Sequence, residues 1–187
     1  VSTLHYILLP YPLEVYSNNQ QFQYRNKIEF SFWWDKELAR LDLAFFRRGT
    51  HGKLPVEGTS LASESINTAA RNIRNLLRQQ KGVQAYMLKT VIIRCDANDN
   101  VAMQLYVKDP EFAAFTDKQL ETLGISGFEL IFSNPKSPAS VITERIQAWG
   151  ETTLTDVILG VPFTYAVEGF FQINLPVYIQ ALSDMKT

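Results

Sequence analysis

Tyr24-Arg25-Asn26-Lys27-Ile28-Glu29-Phe30-Ser31-Phe32-Trp33-Trp34 is the stretch that sets the reading of this chain. Ile28, Phe30 and Phe32 alternate with Lys27, Glu29 and Ser31, the period of two in which one face of a strand is buried and the other meets water. A half-buried strand needs partners. Asp35 to Glu37 reads as a turn and Leu38 to Arg47 as a second apolar-rich segment, so the fold is expected to open with a hairpin. Arg25 and Lys27 share the polar face, about 7 Å apart along the strand. That is near the spacing of successive phosphates on a nucleic-acid strand, and it suits an ordinary solvated strand face equally well.

Outward from the hairpin, the loop Arg48-Gly49-Thr50-His51-Gly52-Lys53 is basic and punctuated by glycine. Such a loop can lie along a phosphate backbone or simply turn in solvent. Ser60 to Gln80 carries Ile66, Ala69, Ala70, Ile73, Leu76 and Leu77 at helical spacing, with Gly82 just past the end as a stop signal. Arg71, Arg74 and Arg78 line another face of that helix, where cations complement the C-terminal end of the helix dipole. Met87 to Cys95 and Val101 to Val107 read as a hairpin around Asp96-Ala97-Asn98-Asp99-Asn100. A short helix is expected from Pro110 through Leu123, burying Phe112, Phe115, Leu120 and Leu123. Strands follow at Phe128 to Phe132 and Val141 to Ile146, with an irregular loop around Pro135 and Pro138 between them. Two more strands, Thr152 to Leu159 and Val161 to Val167, flank Gly160, and a last helix spans Pro176 to Met185. Before all of these, Pro10, Pro12 and Ser17-Asn18-Asn19-Gln20-Gln21 read as an extended lead-in and a loop. This order implies an α+β fold with a largely antiparallel sheet and two or three helices.

Composition bounds the chemistry. With 187 residues and 46% hydrophobic side chains there is material for one sizeable core. The lone Cys95 excludes an internal disulfide and, with only His5 and His51, leaves no cluster of soft metal ligands, so a reducing compartment and a cytoplasmic location are expected. The apolar run Tyr6 to Leu9 is too short to span a membrane and lacks the flanks of a signal peptide, so no membrane partner is expected. Residues 1–94 hold 13 Lys and Arg against 7 Asp and Glu, and residues 95–187 hold 5 against 12. That asymmetry points toward a polyanion meeting the first half, or to a solvated basic face. The nine glycines form neither G-x-G-x-x-G nor a P-loop. No Ser/His/Asp or Cys/His arrangement and no HExxH stands in the chain, and no carboxylate pair stands out. These residues argue for recognition rather than turnover, and Cys95 reads as structural.

Near the C-terminal end stands Glu168-Gly169-Phe170-Phe171-Gln172-Ile173-Asn174-Leu175-Pro176. Phe170 and Phe171 can offer a stacking face, Gln172 carries donor and acceptors, and Asn174 can cap the helix that Pro176 helps to start. A planar heteroaromatic ligand such as a nucleobase suits that set. Two core phenylalanines and a helix cap are the plainer reading.

Taken in order, Tyr24-Arg25-Asn26-Lys27-Ile28-Glu29-Phe30, the helix with Ser60-Leu61 and Ser65-Ile66-Asn67, and Phe170-Phe171-Gln172-Ile173-Asn174 resemble the uracil-5 RNA methyltransferase family. These are the RumA/TrmA-type enzymes that methylate uridine in 23S rRNA or tRNA. The resemblance implies a lead-in at residues 1–21, a central RNA-contacting domain at 22–167, and at 168–187 the start of a Rossmann-type domain that binds S-adenosyl-L-methionine and continues beyond this chain. In the family, a late cysteine adds to carbon 6 of a flipped-out uracil, carbon 5 attacks the methyl donor, and a base removes the carbon 5 proton. Matched residue by residue, Phe170 packs at the flipped base, Gln172 touches the donor or the base, and Asn174 holds the turn. Tyr24, Arg25, Lys27, Arg48 and Lys53 fall to the RNA, and no DNA is expected. Some members bind an iron–sulfur cluster through cysteines, one of them just before the helix; Thr59 stands there in this sequence, so no cluster is expected in this segment. Cys95 does not match the catalytic cysteine, so the segment is expected to be inactive alone. The competing readings are a stand-alone, non-catalytic RNA-binding module and a protein-interaction domain that docks through its Phe-rich end.

Overall fold

A computed structural model describes residue 15 and residues 17–50, 52–137 and 140–185. The expectations at His5, Tyr6 to Leu9, Pro10, Pro12, His51 and Pro138 lie outside the described residues. The chain forms strands β1 (Lys27–Asp35), β2 (Arg40–Phe46) and β3 (Lys53–Val56), helix α1 (Glu64–Gln79), a 3-10 turn at Ala85–Met87, and strands β4 (Leu88–Cys95) and β5 (Val101–Val107). Helix α2 (Asp117–Glu121), strands β6 (Gly127–Phe132), β7 (Glu144–Gly150), β8 (Thr153–Ile158) and β9 (Val161–Ala166), and helix α3 (Leu175–Asp184) complete it. A seven-stranded sheet runs β3-β2-β1-β4-β5-β6-β7, and β8 and β9 form a separate hairpin. This is the α+β, mostly antiparallel architecture with three helices that the residues imply.

Of the alternating Lys27, Glu29 and Ser31 of β1 only Glu29 is exposed, because both faces of the sheet are covered. The apolar half of the alternation is as read: Ile28, Phe30 and Phe32 are buried and Phe30 stacks on Phe45 at 5.0 Å. Burying each such side chain contributes about 1.5–3 kcal/mol. The stripe of α1 packs on the same face, with Ile66, Ala70, Ile73 and Leu77 fully buried among β1, β2, β4 and β5 side chains. Ser63 begins α1 by accepting a hydrogen bond from the Ile66 amide, and Glu64 sits in the first turn. The three arginines of α1 are structural cations: Arg71 pairs with Glu64, Arg74 with Glu57, and Arg78 with Asp42.

Several boundaries differ from the expectation, each for a physical reason. Arg25 lies outside β1, in an isolated parallel bridge to Ala62, so Arg25 and Lys27 do not share a strand face. Strand β3 carries Pro55 and occupies the sheet edge, where the missing amide of proline is tolerated. The segment after Pro110 is helical only over Asp117–Glu121, because the Thr116–Gln119 capping box starts the helix there. β7 begins three residues later than expected and extends to Gly150, paired with β6 from Phe132 back to Gly127. At the far end of that pair the chains crowd, since a Cβ on Gly127 would stand 1.8 Å from the Glu151 carbonyl oxygen. β5 and β6 run parallel, joined by the crossover through α2. Among the described residues no helix is long and apolar enough to cross a membrane.

The other face of the sheet is smaller. Ile92, Ala102, Tyr106 and Ile131 meet Leu154 and Tyr165 of the β8–β9 hairpin and Val167 just after it, with Phe171 packed against them. This second cluster carries the chain from β9 into residues 168–174.

Candidate functional site

Asn26 and Gln172 stand 146 residues apart in sequence, yet the Asn26 side-chain amide donates to the Gln172 carbonyl at 3.0 Å. The Asn26 backbone amide adds a bond to the Ile173 carbonyl at 3.3 Å. The two motifs singled out in the sequence are thus stitched together just before the start of β1. Between them opens a cleft of about 370 Å³, lined by Tyr24, Arg25, Asn26, Ser63, Cys95 and Asn174 among others. Its walls come from the segment before β1, the N-terminus of α1, the β4–β5 turn, β8 and the start of α3.

The polar inventory of this wall is incomplete. Among the described residues, Arg25 Nε, Asn26 Oδ1 and Asn174 Oδ1 on this wall are buried without a hydrogen-bond partner, as is Arg94 Nε away from the cleft. An unmet buried polar atom costs about 1–3 kcal/mol, so three of them on one cleft wall make that wall a candidate for a polar ligand or bound water. Asn174 is a correction to the sequence reading: it precedes α3, but its side chain makes no capping bond. The helix relies instead on proline in its first turn. Cys95 is buried and shares a hydrogen bond with the Ser63 hydroxyl at 3.3 Å; burial pushes its thiol above the ordinary range, which agrees with the structural role read from the sequence.

Phe170 and Phe171 part company. Phe171 is stacked on Tyr165, centroids 4.0 Å apart and planes 17° from parallel, so it belongs to the small cluster rather than to a ligand platform. Phe170 is 89% exposed. Gln172 is half-buried, held through its carbonyl, and its side-chain amide makes no hydrogen bond among the described residues. An amide left open in this way presents both a donor and an acceptor, which fits the polar groups of an amino-acid-derived methyl donor or a pyrimidine edge.

The cations divide in the same manner. Lys27 turns inward, its ammonium donating to the Glu168 carbonyl at 3.0 Å and the Gly169 carbonyl at 3.5 Å. Its pKa is lowered, by burial first and then by Arg94 nearby. Arg25 lies over the Tyr24 ring at 5.9 Å on the cleft wall. Arg48 is exposed in the turn after β2, and Lys53 begins β3, donating to the Phe32 carbonyl at 2.9 Å with its ammonium 5.1 Å from the Phe46 ring centre. The structure therefore brings together Tyr24, Arg25, Lys27, Gln172 and Asn174, leaves Phe170 projecting from the same segment, and places Arg48 and Lys53 on a separate hairpin.

Two features escape a reading by motif. Arg94, buried at 1% exposure in an apolar strand, donates to the carbonyls of Ala166, Gly169 and Phe171 and lies 5.0 Å over Tyr165. Gln104, fully buried, donates to Glu129 and Glu168, both at 2.6 Å, and accepts from Tyr106. Arg145 closes this network by bonding the same two carboxylates. The available signal was a single polar residue set in an apolar run: Arg94 between Ile93 and Cys95, Gln104 between Met103 and Leu105. Among the described residues no group of three or more His, Cys, Asp or Glu side chains is arranged to hold a metal ion.

No protein-family model matches the chain. Curated relatives do: 165 residues, 81% of the chain, are 26% identical to an uncharacterized RNA methyltransferase of Lactobacillus johnsonii. Another 81% match, over 163 residues at 22% identity, is to an uncharacterized RNA methyltransferase of Streptococcus pyogenes. The chain spans 35% of the length of each of these relatives. Among solved structures, Pyrococcus abyssi tRNA (uracil-54, C5)-methyltransferase in complex with S-adenosyl-L-homocysteine superposes on 92% of the chain with a TM-score of 0.74. Identity there is 14%, the matched part is 42% of that chain, and the likeness is one of fold. Together these relatives bear out the resemblance read from the two motifs: the chain is similar in sequence to RNA methyltransferases and has the fold of part of a tRNA uracil-5 methyltransferase.

Proposed function

We propose that this chain is the central, RNA-contacting part of an S-adenosyl-L-methionine-dependent RNA (uracil-5-)-methyltransferase that acts on rRNA or tRNA in the cytoplasm. The observation that carries the reading is the meeting of Tyr24-Arg25-Asn26 with Gln172-Ile173-Asn174: Asn26 holds the Gln172 carbonyl, and Tyr24, Arg25, Asn26, Ile173 and Asn174 line one cleft that retains unmet buried polar atoms. Residues 1–21 are the lead-in, 22–167 the RNA-contacting domain, and 168–187 the first part of the donor-binding domain of a longer protein. The methyl donor supplies the transferred group. Residues outside this chain supply the nucleophilic cysteine, the proton-abstracting base and most of the donor site, so the segment alone does not turn over.

Within that division of labour, the side chains here bind and orient. Exposed Phe170 offers its ring to a flipped base, an arrangement that needs a rigid segment because an unstacked base keeps its place only against a fixed surface. Gln172 offers its amide to donor or base. Tyr24 and Arg25 present a ring and a guanidinium on the cleft wall, suited to stacking and to phosphate. Arg48 serves as an exposed phosphate contact on the outlying hairpin. Lys27 acts through the segment it holds, and Lys53 through the hairpin it braces, rather than as free charges. With Cys95 as its lone cysteine and Thr59 before α1, the segment provides no iron–sulfur ligand set.

The test is methyl transfer by the longer protein, with 5-methyluridine in rRNA and tRNA read by mass spectrometry. Gln172→Ala should depress transfer about a hundredfold while leaving the unfolding temperature in place. A folded longer protein that forms no 5-methyluridine on either RNA would overturn the reading.

A further inference from the structure

The segment 166–173 has no regular structure beyond the end of β9, yet its main chain is captured almost throughout. Arg94 takes the carbonyls of Ala166 at 3.2 Å, Gly169 at 2.9 Å and Phe171 at 3.4 Å. Lys27 takes those of Glu168 and Gly169, and Asn26 those of Gln172 and Ile173. The Glu168 carboxylate is tied to Gln104 and Arg145, and the Phe171 ring to Tyr165. What remains outward is Phe170 and the amide of Gln172.

Arg94 differs from the other buried arginine. Arg74 meets a carboxylate, Glu57, whereas the Arg94 guanidinium donates from Nη1 and Nη2 to main-chain oxygens, its Nε left without a partner among the described residues. A buried charge must be solvated by fixed dipoles or it is expelled. Here those dipoles come from three converging carbonyls of different residues, beside the Tyr165 ring, and the convergence of the carbonyls dictates the turn. A planar fork serves several acceptors at set angles in a way that an ammonium does not.

We infer that Arg94 is the positioning residue of the Phe170–Gln172 turn, fixing the exposed ring and amide for methyl transfer through the carbonyls of Ala166, Gly169 and Phe171. Only the link to methyl transfer rests on the function proposed above. The first measurement is therefore structural: backbone 15N order parameters for residues 168–173 in this chain, in Arg94→Met and Arg94→Lys, and in Arg74→Met as a control that removes a buried arginine elsewhere. The turn should read about 0.85 in the parent sequence and in Arg74→Met, and fall below about 0.6 in Arg94→Met. Arg94→Lys keeps the buried charge, and so covers the case in which Arg94→Met does not fold; it should also loosen the turn. An unchanged turn in the Arg94 variants, or a loosening shared equally by α1, overturns the inference.

The second measurement uses the longer protein. Arg94→Lys should lower kcat about a hundredfold, the size of effect expected when a reacting group is misplaced, while KM for RNA stays within about twofold. If Gln172→Ala abolishes transfer but Arg94→Lys with a loosened turn does not, the positioning role falls and the proposed function stands. If neither variant affects transfer, the roles of Arg94 and Gln172 both fall while the methyltransferase reading stands; a longer protein that forms no 5-methyluridine overturns that reading itself.

Discussion

β4 and β5 are buried on both faces, and the two faces are held by different physics. Val91, Ile93 and Cys95 of β4, with Val101, Met103, Leu105 and Val107 of β5, meet α1 in a large apolar cluster. Ile92 and Arg94, with Ala102, Gln104 and Tyr106, look the other way, onto the β8–β9 hairpin and the segment 166–173. Apolar burial is non-directional and tells α1 where to lie. Hydrogen bonds are directional and can impose one conformation on a segment that has no helix or strand to define it. The first face makes the domain; the second shapes the turn that carries Phe170 and Gln172.

The contrast can be broken first on its apolar side. Phe30→Ala, at a fully buried ring that stacks on Phe45, should cost about 3–5 kcal/mol in urea unfolding, with the turn at 168–173 unaltered in whatever fraction stays folded. On the polar side, Gln104→Leu removes the amide shared by Glu129 and Glu168 and leaves both carboxylates short of a donor. It should cost about 1–3 kcal/mol and, unlike Phe30→Ala, loosen residues 168–173 in the same order-parameter measurement.

Buried titratable groups on the two faces also predict a pH dependence. Burial holds Cys95, Tyr106 and Tyr165 protonated well above their ordinary ranges, and Tyr165 is held further by donating to Asp156. An unfolded chain releases these protons from about pH 8.5 for the thiol and about pH 10 for the phenols, while the folded chain keeps them. Stability should therefore be complete below about pH 8 and fall as pH rises past 9. Lys27 works with the opposite sign, since burial lowers its pKa and the folded chain loses that proton first; its half-exposed position makes this the smaller contribution. Urea midpoints measured from neutral to alkaline pH should decline, and Tyr165→Phe should flatten the decline at its upper end.

The smallest effect separates two helix starts. Ser63 caps α1 through its hydroxyl, whereas Asn174 precedes α3 with no capping bond. Ser63→Ala should cost about 1 kcal/mol, and Asn174→Ala no more than about 0.5 kcal/mol. A larger loss at Asn174 would show that its side chain serves the fold rather than the cleft.

Much of the apolar face was legible in the residues, because each side chain's exposure there follows from its position in a local period. The alternation of Ile28, Phe30 and Phe32 and the stripe from Ile66 to Leu77 needed no partner to be read. The parallel pairing of β5 with β6 was not legible, since both are apolar strands and only the crossover through α2 decides their relative direction. The extent of the helix after Pro110 was also lost, because its phenylalanines are buried without helix.

The candidate site divides along the same line. Local sequence determined that Tyr24-Arg25-Asn26-Lys27 and Phe170-Phe171-Gln172-Ile173-Asn174 carry rings, cations and amides out of proportion to a core. Only tertiary structure decided that they meet, that Phe171 packs while Phe170 projects, that Lys27 faces inward, and that Arg94 governs the turn. Apart from the Tyr165–Phe171 stack, those choices are made by contacts between residues more than 70 positions apart, and a hydrogen bond over such a separation leaves no periodicity in either segment for a reader of the chain to find.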